Sequence, residues 1–190
     1  MSAPLEHRLA EMVKASPTVM QVLHGIEALG LPQGRLVSGA VYQTVWNALT
    51  GRDPDYGVRD FDVAYFDPDV SWEAEDAYIR AAAGYFPPGL GERVEVRNQA
   101  RVHLWYPQKF GRPYAPLSST DESLDRSLAT AHAVGVKLAP DGDIDICAPY
   151  GLQDMFALVL KPAPMSNNPA VHLKKAQSAK ARWPEIVVLG

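Results

Sequence analysis

The chain has 190 residues, 47% of them hydrophobic, which is typical of one globular domain with a substantial core. Its net charge of −4 argues against a broad surface for duplex nucleic acid, because such surfaces are rich in lysine and arginine. The single cysteine, Cys147, excludes an internal disulfide and a cysteine-rich zinc site. No apolar run approaches the roughly 20 residues of a membrane span, and the N-terminus lacks the apolar stretch of a signal peptide. We therefore expect a cytoplasmic protein with no membrane partner.

The first 33 residues are predicted to form two helices, because apolar residues recur at helical spacing over 5–13 and 19–29. Neither helix carries residues that suggest chemistry, so both are expected to be packing elements. They precede a core at 34–160 and a C-terminal helical segment at 161–190. We expect a single domain over 1–190.

A strand, a turn of small residues and a helix follow one another after this region. Arg35–Ser38 is predicted to be the strand, Ser38 and Gly39 form the turn, and a helix then extends to Gly51, a residue type that favours helix ends. The N-terminus of a helix offers free backbone N–H groups and a positive dipole end, which favour anions. The sequence therefore predicts a phosphate site at Ser38 and Gly39.

The next predicted strand, Arg59–Asp67, places two carboxylates on one face. Side chains two residues apart on a strand point to the same side, so Asp60 and Asp62 lie together, opposite an apolar face. Neighbouring carboxylates repel each other unless a cation lies between them, and Mg²⁺ prefers carboxylate and phosphate oxygens. The pair is also compatible with the solvated face of an edge strand. The phosphate site upstream favours a metal site for phosphoryl-group transfer, for which two ions are common.

The remaining elements are predicted from their periodicity and turn residues. We expect an irregular region over 107–119 and a hairpin around Pro140-Asp141-Gly142. The predicted helices are 72–83, a short one within 119–128, Tyr150–Leu160 and Ala170–Trp183, and Arg93–Asn98 is a further strand. In the last helix, basic residues are expected to form a solvated face, or else to border the cleft and hold a nucleotide or RNA (Lys174, Lys175, Lys180 and Arg182).

The turn, helix and Asp-x-Asp strand together resemble the polymerase-beta-like nucleotidyltransferase superfamily, in which a Gly-Ser or Gly-Gly turn precedes that motif. Here the turn is Ser38-Gly39, with the small residues in altered order. More closely, the chain resembles a bacterial family of uncharacterised nucleotidyltransferase-like proteins. This resemblance extends from about Arg35 to Pro184 and rests on VWNALTG, RDFDVAYFD, VEVRNQARVHLW, APYGLQDMF and RWP. It implies an α+β fold, with a mixed β-sheet flanked by helices and with helices at both termini.

The resemblance also implies a third carboxylate, on a strand adjacent to Asp60 and Asp62. Glu95 on the following predicted strand and Asp145 in DGDIDIC are the two candidates. We favour Glu95, because the superfamily usually takes this acid from the following strand. The alternative role of Glu95 is a cross-strand partner of Arg97 or another base.

Polar residues from Asn98 to His103 are further candidates for the site. Arg101 can match phosphate oxygens with paired donors, Asn98 can contact a sugar or base, and His103 can act as a general base. The alternative is a buried polar network that fixes the end of the strand.

These observations predict a Mg²⁺- or Mn²⁺-dependent nucleotidyltransferase that uses a nucleoside triphosphate. Asp60, Asp62 and Glu95 are the expected catalytic metal ligands, and Ser38, Gly39, Asn98 and Arg101 are the expected nucleotide-binding residues. The acceptor hydroxyl is left open between a small molecule, a protein and an RNA. The main alternative is an inactive nucleotide-binding or protein-interaction module on the same fold. A weaker one is a metal-dependent phosphohydrolase.

Overall fold

The computed structural model describes residues 3–166 and 168–189 of the chain. The helices are α1 (Leu5–Lys14), α2 (Pro17–Ala28), α3 (Gly39–Thr50), α4 (Trp72–Tyr85), α5 (Val102–Phe110), α6 (Glu122–Asp125), α7 (Gln153–Phe156) and α8 (Pro169–Arg182). The strands are β1 (Arg35–Val37), β2 (Phe61–Tyr65), β3 (Val94–Asn98), β4 (Gly135–Leu138), β5 (Ile144–Cys147), β6 (Val159–Leu160) and β7 (Val187–Val188). Single 3₁₀ turns occur at Gly91–Arg93, Gln99–Arg101 and Thr130–His132.

Five strands form a mixed sheet in the order β3-β2-β1-β4-β5. β2 and β3 are parallel and are connected through α4, whereas the other neighbours are antiparallel. Helices α1 to α4 pack on one face of this sheet, where Leu36, Val63, Val96 and Val136 lie in register and are buried. The predicted fold class, α+β with a mixed sheet flanked by helices, is confirmed.

The opposite face of the sheet carries the polar residues of β2 and β3. Successive side chains of a strand alternate between faces, so burial of Phe61 and Val63 places Asp62 on the other side. The register pairs Asp62 with Glu95 on β3 and with Val37 on β1. The predicted division of this strand into an apolar and an acidic face is confirmed. The strand is shorter than expected, and Asp60 lies immediately before it.

Two predicted elements were wrong. The helix expected over Tyr150–Leu160 is limited to α7, because Gly151 and Leu158 have φ angles of 72° and 54° that redirect the backbone on either side. After that turn, β6 pairs in parallel with β7. Conversely, α5 begins at Val102, where no element was predicted, and extends into the region 107–119 that was expected to be irregular. Its apolar side chains are distributed around the helix and it contains Pro107, so no amphipathic pattern marked it.

None of the helices in the described ranges is long and apolar enough to cross a bilayer.

Candidate active site

A cleft of about 310 Å³ opens where the end of β1, the start of β2 and α8 meet. We call it the first cleft. Its lining includes Ser38 and Gly39 from the start of α3, Arg59, Asp60 and Asp62 from the start of β2, and Lys175 and Arg182 from α8. The cleft thus combines a helix N-terminus, carboxylates and cations, which is the chemistry that a metal-bound polyphosphate requires.

The backbone at Ser38 turns sharply to begin α3. Ser38 has φ 53° and ψ −114°, a conformation that glycine adopts far more readily than serine. Its amide donates to the carbonyl of Val134 at 2.9 Å, and its carbonyl accepts from Val41 and Tyr42 at 3.0 and 3.1 Å. These bonds fix the turn at the mouth of the first cleft. The first N–H groups of α3 have no acceptor within their own helix, so they suit an anion.

Asp62 lies among other carboxylates on the open face of the sheet. Part of its side chain is exposed, yet surrounding protein atoms crowd the carboxylate, and this burial raises its pKa. The negative charges of Glu95 and, to a smaller extent, Asp60 raise the pKa further, whereas Lys175 lowers it. A divalent cation would relieve this repulsion, so the donors fit a hard metal ion.

Glu95 is held by a weak contact. Its Oε2 lies 3.4 Å from an Nη of Arg97, and the two side chains are 48% and 50% exposed. An ion pair this exposed contributes little free energy, so it does not hold Glu95 away from Asp62. Among the described residues, no three His, Cys, Asp or Glu side chains already have the spacing of a metal site.

Asp145, the other candidate for the third carboxylate, lies far across the sheet. It is on β5, the outer strand at the opposite edge from β3. Its Oδ1 accepts from Arg35 at 2.6 Å, and Arg35 also bonds Asp121 at 2.5 Å. Of the two candidates, Glu95 is therefore the one that the fold brings beside Asp62.

Asn98 and Arg101 belong to a hydrogen-bonded network at the end of β3. The Asn98 side chain accepts from the amide of Asp67 at 3.1 Å and donates to its carbonyl at 2.9 Å, and the residue is 1% exposed. Arg101 pairs with the buried Glu75 at 2.9 Å and donates to the carbonyl of Val70. Neither residue lines the first cleft. A nucleotide contact for them stays a prediction, while the observed bonds fix the loop that follows β2.

His103 lies at the start of α5, outside the lining of the first cleft. Its Nδ1 is buried and, within the described ranges, has no hydrogen-bond partner. A role for this residue as general base stays a prediction.

From the sequence, a position of the basic residues of α8 beside the cleft was only one of two alternatives, the other being a solvated helix face. Lys175, Ser178, Ala179 and Arg182 line the first cleft at positions i, i+3, i+4 and i+7, which share one helix face. That spacing was visible in the sequence, but nothing in it showed which face meets the sheet.

Comparison with solved structures agrees with this fold. An NMR structure described as revealing a CCA-adding enzyme head domain matches with a TM-score of 0.77 and 25% identity, covering 97% of this chain and 95% of the other. A CCA-adding enzyme in complex with CTP matches with a TM-score of 0.56 and 16% identity, covering 100% and 44%. The Thermotoga maritima CCA-adding enzyme complexed with tRNA matches with a TM-score of 0.56 and 14% identity, covering 97% of this chain and 42% of the other. The chain thus spans less than half the length of these two enzymes.

The fold is that of a nucleotidyltransferase of the polymerase-beta-like type. The sequence model of a family described as nucleotidyltransferase matches residues 24–188, and the chain belongs to that family. No curated protein sequence matches it.

Proposed function

We propose that this nucleotidyltransferase transfers a nucleoside monophosphate from a nucleoside triphosphate to a hydroxyl acceptor, with Mg²⁺ or Mn²⁺ held by Asp60 and Asp62. Glu95 is the third carboxylate of the proposed site, and Ser38 and Gly39 receive the β- and γ-phosphates.

The position of Asp62 is the observation that carries this proposal. It lines the first cleft together with Asp60 and the N-terminal turn of α3, and it is the register partner of Glu95 on the parallel strand. Asp60 from the same segment, Glu95 from the neighbouring strand and the N-terminal turn of α3 thus lie near the Asp62 side chain. A solvated edge strand does not explain this arrangement, because β2 lies inside the sheet between β1 and β3.

The residues of the first cleft have separable roles in this mechanism. The N–H groups at the start of α3 orient the terminal phosphates, and Lys175, Arg182 and Arg59 neutralise their charge. The bound ions would supply charge neutralisation at the α-phosphate and at the departing pyrophosphate. Catalysis then depends mainly on positioning and electrostatics.

The similar enzymes suggest candidate substrates. CCA-adding enzymes have been solved with CTP, with ATP and with tRNA. We accordingly place CTP and ATP first among the donors to test and include an RNA end among the acceptors.

The proposal is tested by incubating the purified protein with each of the four ribonucleoside triphosphates, α-labelled, in Mg²⁺ or Mn²⁺ with candidate acceptors and cell extract. We expect label transfer with equal release of pyrophosphate, its loss on addition of EDTA, and its recovery with excess Mg²⁺. Metal-dependent binding of a triphosphate without transfer to any acceptor would support the inactive nucleotide-binding module instead. Release of orthophosphate in place of pyrophosphate would indicate a phosphohydrolase.

A further inference from the structure

A second cleft, of about 300 Å³, lies on the other side of Asp62. Its lining includes Asp62, Glu95 and Arg97 from the sheet, Trp105 and Tyr106 from α5, and Tyr114 and Arg126 from the segments that follow. Its size is at the low end of the range for small-molecule sites. The metal and triphosphate sites proposed for the first cleft do not use these aromatic and basic residues.

The two clefts follow one another along β2. Asp60, before the strand, lines only the first cleft, Ala64, further along it, lines only the second, and Asp62 between them lines both. A group bound at Asp62 is therefore accessible from both sides.

In-line phosphoryl transfer assigns different partners to these two sides. The attacking oxygen and the leaving oxygen lie on opposite sides of the reacting phosphorus. The proposed function places the pyrophosphate in the first cleft, near α3. The acceptor hydroxyl then approaches the α-phosphate from the second cleft, which is also the side lined by Glu95.

The walls of the second cleft suit a planar ring. The rings of Tyr106 and Tyr114 are 4.6 Å apart between centroids, and the partly exposed Trp105 lies beside them. Aromatic side chains at the mouth of a cleft stack on nucleobases with little dependence on the base.

The same cleft carries positive charge for an anion. The guanidinium of Arg126 lies 4.6 Å from the centroid of the Tyr114 ring, and one of its Nη atoms is 3.7 Å from a carboxylate oxygen of Glu122. Its Nε is buried with no hydrogen-bond partner in the part of the chain that the structure describes. Arg97 also lines the second cleft and is half exposed. Arginines suit phosphate because their paired N–H donors match its oxygens.

We propose that the second cleft binds the acceptor and that the acceptor is a ribonucleotide unit. Its base stacks on the exposed ring of Trp105, its phosphate meets Arg126 and Arg97, and its ribose hydroxyl faces Asp62. The hydroxyl oxygen forms a bond to the α-phosphorus of the donor while the bond between that phosphorus and the α,β-bridging oxygen breaks. The electron pair leaves with pyrophosphate, and the hydroxyl proton passes to water. This inference rests on the proposed function, and the same chemistry is offered by a free nucleotide and by the 3′ end of an RNA.

Binding measurements test the inference without relying on turnover. The first cleft is filled with saturating α,β-methylene-ATP and Mg²⁺, and binding of AMP or of a single-stranded RNA 12-mer is then measured by calorimetry. We expect Trp105→Ala and Arg126→Gln each to lower the affinity for the probe that binds the wild-type protein more tightly by at least about fivefold. Trp105→Phe, which keeps a ring, should stay within about twofold, and affinity for α,β-methylene-ATP should be unchanged in all three.

The two sources of the ligand give different results. An RNA acceptor predicts that the 12-mer binds far more tightly than AMP, whereas a free nucleotide predicts comparable affinities. The inference is overturned if neither probe binds the wild-type protein, or if Trp105→Ala and Arg126→Gln both bind the probe with wild-type affinity. It is also overturned if these substitutions lower the affinity for α,β-methylene-ATP by the same factor as the affinity for the probe. The last result would place the donor base in the second cleft. If the probes bind as expected but no nucleotide is transferred, the proposed function fails while the nucleotide site stands.

Discussion

Ser38 occupies a backbone conformation that a glycine would adopt without strain. In the superfamily that the turn resembles, a glycine comes first in this pair, and the altered order in this chain places the serine at φ 53°. A residue other than glycine in such a region costs about 1–3 kcal/mol. The turn therefore stores strain at the mouth of the first cleft, where the proposed phosphates bind.

Ser38→Gly is expected to raise the free energy of unfolding by roughly 1 kcal/mol. Relief of about 1–3 kcal/mol of strain exceeds the cost of about 0.5–1 kcal/mol for the greater freedom of glycine in the unfolded chain. Urea unfolding measures the change, with Ser38→Ala as the control that removes the hydroxyl and keeps the strain. A glycine variant less stable than the alanine variant would contradict the strain, because both variants lack the hydroxyl and differ only in the freedom of the backbone.

At the scale of elements, α8 distributes its basic residues between two roles. Lys175 faces the first cleft, whereas the Nζ of Lys180 donates to the carbonyl of Ile186 at 2.7 Å. The same helix thus provides a matched pair of substitutions that remove equal charge.

Lys175→Gln is expected to raise the KM for the nucleoside triphosphate about tenfold, because a charge-assisted contact to phosphate is lost. Lys180→Gln should leave KM within about twofold of the wild-type value. Steady-state kinetics at two salt concentrations measures both, and the Lys175 variant should also depend less on salt. Equal effects of the two substitutions would mean that α8 acts only through its general charge.

The 3₁₀ turn Thr130–His132 packs a neutral histidine behind the first cleft. The His132 ring stacks on Tyr42 with centroids 4.4 Å apart. Burial, together with the smaller effects of the charges of Lys175 and His172, lowers the pKa of His132 to about 3. The unfolded chain binds this proton with a pKa of about 6.5.

Stability should therefore fall as the pH decreases from about 6.5 toward 3, since only the unfolded state gains the proton over that window. His132 contributes a slope of up to about 1.4 kcal/mol per pH unit. His132→Phe keeps the stack and should remove this part of the slope in urea unfolding between pH 6.5 and 5. The exposed His24 is the control site, and His24→Gln should retain the wild-type slope. An unchanged slope in His132→Phe would contradict the buried neutral state.

For the molecule as a whole, the sequence predicted which face of an element each side chain occupies better than it predicted which distant segments lie next to each other. Alternation along β2 predicted correctly that Asp62 lies opposite Phe61 and Val63, and Gly51 marked the end of α3, where it is the C-cap with φ 66°. Local patterns of this kind depend on the periodicity of a single element.

The arrangement around Asp62 depends instead on contacts between distant segments. The choice between Glu95 and Asp145 required the strand order, because both acids lie on predicted strands and only pairing places one of them next to Asp62. The second cleft required α5, whose scattered apolar residues gave no periodic signal. Arg101 was expected at the nucleotide because of its type, yet its partner is Glu75, from a segment whose proximity no local pattern indicates.

The central claim is that Asp62 organises nucleotidyl transfer, and Asp62→Asn tests it most directly. This substitution keeps the shape of the side chain and removes its charge, so it should lower single-turnover transfer from a labelled triphosphate about a thousandfold. It should also leave the thermal unfolding midpoint unchanged or higher, because a crowded carboxylate is removed. Glu73→Gln, which removes an exposed carboxylate on α4, should retain the wild-type rate. Transfer by the folded Asp62→Asn protein at the wild-type rate would contradict the account.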